Sequence, residues 1–241
     1  MPSSSPLLRW IAHRGGGSLA PENTLAGIRL AARLGFRAVE FDVMLSADGT
    51  PVLIHDETLE RTTDGRGRVC ETSDTALFAL DAGNGERIPR LVDAARLCRE
   101  LGLLANVEIK PAAGHEVVTA ETVIRLAGEL WRTAPDQVLL SSFVPEAIVM
   151  ARDLAPDLRR GMLYETVPGD WLDFCRRVGA TALHCDATQV DDAVLREAAA
   201  HDIPVLCYTV DVPEIAADLL RRGVAGFFTD RLDRFASQAG A

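Results

Sequence analysis

Four short stretches hold side chains able to do acid–base and phosphate chemistry: His13-Arg14 before three glycines, Glu40-Phe41-Asp42, His55-Asp56, and Glu108-Ile109-Lys110. Glu40 and Asp42 are two residues apart, as are Glu108 and Lys110, so in a strand both members of each pair leave the same face. Three carboxylates gathered on one face repel each other and resist ionisation unless a cation sits among them. Oxygen donors without cysteine or a histidine-rich set suit Mg²⁺ or Ca²⁺ better than zinc. A histidine pair beside such a centre is the usual equipment for moving protons to and from oxygen. Lys110 is the only lysine among 25 basic residues, so a compact ammonium is kept at a position where arginine is used everywhere else. Any one of these residues alone reads as an ordinary loop or strand-end side chain. It is their joint occurrence at successive strand ends that marks a site.

The elements that must position them follow from the hydrophobic pattern. Strand-like runs occur at 7–13, 36–45, 103–110, 137–143, 158–164, 180–185, 203–210 and 224–229. Amphipathic stretches lie between most of them: 23–35, with Asn23 as candidate N-cap and Gly35 as stop, 91–102 ending at Gly102, a helix after Asp191, and 212–223 closing on Gly223. Eight strands alternating with helices predict parallel βαβ units, and a last strand followed by only a short helix predicts closure into a TIM (β/α)8 barrel. Residues 46–90 break the rhythm, with two Asp-Gly turns, a short PVLIH strand and a polar, Gly-rich remainder. The segment of about 56–90 reads as an insertion between strand 2 and helix 2, a substrate lid too short and polar for a core of its own, within a single domain spanning 1–241.

Composition narrows the function. A net charge of −10 without a basic run argues against nucleic acid and anionic membrane surfaces. Cys70, Cys98, Cys175, Cys185 and Cys207 are odd in number and form no C-x-x-C, which predicts reduced thiols in a cytoplasmic protein. The start, MPSSSPLLRWIAHRGG, reads as no signal peptide, and no run suggests membrane insertion. His115, His184 and His201 read as structural or surface residues.

In this order, HRGGGSLAPENTLAGI (13–28), EFDVMLSADGTPVLIHDETLERTTDGRG (40–67), NVEIKP (106–111), SSF (141–143), GMLY (161–164), YTVD (208–211) and FFTDRLD (227–233) closely resemble the glycerophosphodiester phosphodiesterase family. The triple glycine, NVEIKP and YTVD look most like its compact cytoplasmic bacterial branch, linked to glycerol-3-phosphate uptake. The resemblance implies a TIM barrel that hydrolyses a small glycerophosphodiester to sn-glycerol 3-phosphate and an alcohol, with one divalent cation, Mg²⁺ or Ca²⁺. It implies metal ligation by Glu40, Asp42 and Glu108, a general acid–base pair in His13 and His55, and phosphate binding by Arg14 and Lys110. Phe143 and Tyr208, the latter where many relatives carry tryptophan, would border the substrate. By the same analogy the glycerol 2-hydroxyl attacks phosphorus, with His13 as base and His55 as acid, and water then opens a cyclic phosphate. Competing readings are phospholipase D-like cleavage of lysophospholipids on the same barrel, and a barrel that binds phosphorylated metabolites without cutting them. The sequence sets no oligomeric state.

Overall fold

The computed structural model describes residues 9–239. Its strands are β1 (Trp10–Ala12), β2 (Ala38–Leu45), β3 (Pro51–Leu53), β4 (Leu104–Ile109), β5 (Val138–Ser142), β6 (Arg159–Tyr164), β7 (Ala182–Asp186), β8 (Val205–Tyr208) and β9 (Gly226–Thr229). The helices are α1 (Leu25–Arg33), α2 (Asp74–Leu77), α3 (Leu91–Leu101), α4 (Glu116–Leu130), α5 (Pro145–Leu154), α6 (Trp171–Val178), α7 (Asp192–Ala200), α8 (Pro213–Arg222) and α9 (Leu232–Phe235). The sheet order β1-β9-β8-β7-β6-β5-β4-β2 is closed by β1–β2 pairing, and all of these pairings are parallel. β3 pairs antiparallel with β2 outside this ring. The result is the closed, eight-stranded α/β TIM barrel expected from the alternation. Residues 7 and 8 of the first expected strand, and the first half of the start read as no signal peptide, lie outside the described residues.

Barrel strands are covered on both faces, which is why β2 is buried at every position. Its outward residues Val39, Phe41 and Val43 join the main core beneath the helices. Its inward residues climb from Ala38, in an apolar floor with Ile11, Leu139, Ala182, Leu206 and Phe228, to Glu40 and Asp42. Ile11 to His13 and Leu139 to Ser141 follow the same period of two. Each of these strands thus changes from apolar to polar on passing from the barrel's floor to its C-terminal mouth.

Helix boundaries follow local chemistry. Gly102, Gly179 and Gly223 end α3, α6 and α8 in the left-handed conformation, where a side chain would be strained. Asp191 caps α7, its side chain accepting from the Val194 N–H. The cap of α1 differs from expectation: Thr24 accepts from the Gly27 N–H, not Asn23. Asn23 has φ 56°, which turns its amide away from the helix and toward β2. The insertion also differs. Leu59, Val69, Leu77, Ala82 and Ile88 are buried together with Met44, Val52 and Ile54, so it has a small apolar cluster shared with β2 and β3. Its apolar residues are widely spaced in sequence and come together only in this one cluster with the hairpin.

Candidate functional site

At the mouth of the barrel, a cavity of about 340 Å³ is lined by His13, Arg14, Glu40, Asp42, His55, Glu108, Lys110, Phe143 and Tyr208, the whole set of sequence candidates. Asn106, Leu163, Glu165, His184, Thr209 and Phe228 complete the lining.

The three carboxylates form its charged centre. One oxygen from each of Glu40, Asp42 and Glu108 lies within 4.8 Å of the others, and all three residues are buried. Burial and the Asp42 charge push Glu40 up to about 7. Burial and the charges of Asp42 and Glu40 raise Glu108 well above the ordinary carboxylate range. Burial acts on Asp42 too, but Lys110, His55, Arg14 and a hydrogen bond from Asn23 outweigh it and hold this carboxyl low. Glu40 Oε1 and Glu108 Oε1 are buried and have no hydrogen-bond partner. Orphaned anionic oxygens are expensive in a protein interior. A hard divalent cation accepts such a set, so the residues present fit one.

Each histidine is held by an acid. His13 Nδ1 lies 2.8 Å from Asp230 Oδ1, while Nε2 is 3.8 Å from Glu40 Oε2. Burial favours the neutral ring, but the Asp230 hydrogen bond and the Glu40 and Asp230 charges overcome it and raise the His13 pKa. His55 Nδ1 lies 2.6 Å from Asp56 Oδ1. Here burial prevails, helped by Lys110 and Arg14, over Asp42 and Asp56, and the pKa falls. A carboxylate on Nδ1 fixes the proton there, leaving Nε2 of each ring as the exchangeable nitrogen.

The cations sit close by. Lys110 Nζ is 3.4 Å from Asp42 Oδ1 and 3.9 Å from Glu108 Oε1. Arg14, in the left-handed conformation at φ 49°, donates its backbone N–H to Glu40 Oε2 at 2.9 Å. Its guanidinium is 3.0 Å from Glu22, which Arg61 of the insertion also holds, at 2.7 and 2.8 Å. Arg61 grips Asp56 in turn, at 2.6 and 2.9 Å. A run of charges, Arg14–Glu22–Arg61–Asp56–His55, therefore ties the first loop to the insertion. At the apolar rim Phe143 and Tyr208 meet edge to face, with centroids 5.9 Å apart, and the Tyr208 hydroxyl donates to the Tyr164 carbonyl at 2.8 Å.

Sequence reading did not find Asp230, Glu22, Arg61, Asn106 or His184. Asp230 meets His13 across 217 positions of chain, so no local spacing signals it. For His184 the period of two along β7, from Ala182 in the floor, was the available signal.

Comparison with known proteins places this geometry. Residues 13–234 match the model of the Glycerophosphoryl diester phosphodiesterase family. The chain is 32% identical over 227 residues to a glycerophosphodiester phosphodiesterase of Caldanaerobacter subterraneus subsp. tengcongensis, covering 91% of this chain and 93% of that one. Among solved structures it resembles an Oleispira antarctica phosphodiesterase in complex with the product sn-glycerol-3-phosphate, at TM-score 0.89 and 34% identity, over 96% of each chain. A Silicibacter pomeroyi protein, 24% identical, shares the fold at TM-score 0.85 over 98% of this chain and 95% of that one.

Proposed function

Because the chain belongs to the glycerophosphoryl diester phosphodiesterase family and is a hydrolase of that family, we propose that it cleaves small glycerophosphodiesters to sn-glycerol 3-phosphate and an alcohol by metal-dependent, two-histidine catalysis. The observation that carries this reading is a pair of histidines, each with Nδ1 held by a carboxylate, in the same cavity as a three-carboxylate cluster with orphaned oxygens. The Oleispira antarctica relative supports sn-glycerol 3-phosphate as the product.

Glu40, Asp42 and Glu108 would hold one Mg²⁺ or Ca²⁺, which when bound neutralises charge on the phosphate and stabilises more of it as displacement proceeds. Arg14 and Lys110 flank the same carboxylates and place two further positive charges where the phosphate oxygens become more anionic. His13 Nε2 takes the proton of the attacking hydroxyl, the glycerol 2-hydroxyl in the first step. His55 Nε2 delivers a proton to the leaving alcohol, and the pair exchange roles when water opens the cyclic phosphate. Burial favours the neutral His13 ring that a base must start from, and Asp230 on Nδ1 stabilises the imidazolium formed once Nε2 has taken the proton. Phe143 and Tyr208 border the substrate, with a loose requirement for the alcohol that leaves. The chain works as one domain, its 56–90 insertion covering the mouth, on a soluble substrate in the cytoplasm. No helix of the described residues is long and apolar enough to cross a membrane.

The test is release of sn-glycerol 3-phosphate from glycerophosphoethanolamine by the wild type and by the His13→Ala and His55→Ala variants. Each substitution is expected to lower kcat at least about 100-fold, the range of general acid–base catalysis, with the fold intact by circular dichroism. Unimpaired turnover in either variant refutes the two-histidine mechanism. Cleavage of lysophospholipids in preference to glycerophosphoethanolamine refutes the substrate class.

A further inference from the structure

Two polar groups at the inner end of the cavity have no role in the chemistry above. His184 lines the cavity yet has no solvent exposure, and neither of its ring nitrogens has a hydrogen-bond partner. Asn106 is buried beside the same space. Its amide donates to Ser141 Oγ at 2.9 Å, and its Oδ1 is unpartnered. Both stand one side chain above the apolar floor: His184 follows Ala182 by two residues on β7, and Asn106 precedes Glu108 by two on β4. Native interiors rarely leave such groups unsatisfied, and three orphaned atoms around one cavity mark a place where a polar ligand completes them.

We propose that His184 as donor, with Asn106 Oδ1 as acceptor, reads the terminal hydroxyl of the substrate's glycerol half, so that glycerol enters the barrel first and the leaving alcohol stays toward the mouth. This rests on the activity proposed above. The chemistry of the pocket selects a hydroxyl. Burial lowers the His184 pKa to about 3, so the ring is neutral and offers one N–H donor and one acceptor. A hydroxyl accepts one hydrogen bond and donates one, and so matches a His184 N–H together with the unpartnered Asn106 Oδ1. An ammonium or trimethylammonium head group would instead shed its water against Leu163, Phe228 and an imidazole, with no counter-charge at His184. Connectivity selects the terminal hydroxyl. The 2-hydroxyl is bound close to phosphorus and thus to His13, whereas the terminal one lies furthest from phosphorus and reaches deepest.

Gly161 provides the room. A methyl group there would lie 2.8 Å from His184 Nε2, so Gly161→Ala displaces the ring without changing its chemistry. The experiment compares glycerophosphoethanolamine with its deoxy analogue, the phosphoethanolamine ester of 1,2-propanediol, which keeps the 2-hydroxyl and lacks the terminal one. The wild type should prefer the glycerol substrate by about tenfold or more in kcat/KM, since a lost partner strands buried polar atoms. In His184→Leu and Gly161→Ala that preference should collapse to within about twofold, through loss on the glycerol substrate alone. His184→Leu should melt no lower than the wild type, because it removes unsatisfied groups. Equal losses on both substrates, or a preference unchanged in both variants, overturn the subsite and leave the activity standing. Absence of turnover by the wild type overturns both.

Discussion

Replacing Glu40 by Gln should destroy activity and at the same time stabilise the metal-free protein at alkaline pH. Glu40 is buried, its Oε1 is unpartnered, and burial with the Asp42 charge lifts its pKa from the ordinary 4.5 to about 7. The folded protein therefore keeps this proton up to about pH 7, while the unfolded chain releases it near 4.5. Between those values the folded state binds more protons, so stability falls as pH rises and the full penalty applies above pH 7. At 1.36 kcal/mol per pKa unit the penalty is about 3 kcal/mol. Glutamine carries no charge, and its amide oxygen can still accept the Arg14 N–H that Glu40 Oε2 accepts. In chelator at pH 8, E40Q should thus melt about 6–12 °C above the wild type, taking 2–4 °C per kcal/mol for a chain of this size. At pH 4, where the glutamate is protonated in both states, the two should nearly coincide. Saturating divalent cation stabilises the wild type by mass action and should close or reverse the gap at pH 8. Melting curves at pH 4 and 8, with chelator or cation, decide the matter. A variant no more stable than the wild type at pH 8 in chelator, or equally favoured at both pH values, refutes the electrostatic reasoning.

Lys110→Arg should lose more than about tenfold in kcat/KM with its melting temperature nearly unchanged. The forked guanidinium does not occupy the space of the compact ammonium 3.4 Å from Asp42 and 3.9 Å from Glu108. Near-normal turnover would show that charge alone matters there. Arg61→Ala should cost about fivefold in kcat/KM, of the order expected for a networked but half-exposed ion pair, by freeing both Asp56 and Glu22. Steady-state kinetics check it, and a loss seen only in thermal stability would confine Arg61 to holding the insertion.

Much of the barrel was legible because parallel strands buried on both faces read as apolar runs, and Gly102 and Gly223 stop their helices by a purely local mechanism. The carboxylates were legible because Glu40 and Asp42, like Glu108 and Lys110, share a face by the strand period, whereas His13 and His55 were legible only as polar residues at the ends of apolar runs. Asn23 and Thr24 could each cap α1 on composition, and the choice between them depended on Asp42, which draws the Asn23 amide. Leu59, Val69, Leu77 and Ile88 show no period, and only the fold brings them together under the hairpin. Asp230 reaches His13 through closure of the barrel, and Arg61 reaches Glu22 through folding of the insertion, so these partners are absent from any local stretch.

The most direct test is release of sn-glycerol 3-phosphate from glycerophosphoethanolamine by protein stripped with chelator, then resupplied with Mg²⁺ or Ca²⁺, with Glu108→Gln in parallel. The account predicts no release from the stripped protein, recovery with at least one ion, and no recovery in the variant. Full activity in chelator, or recovery undiminished in Glu108→Gln, would contradict it.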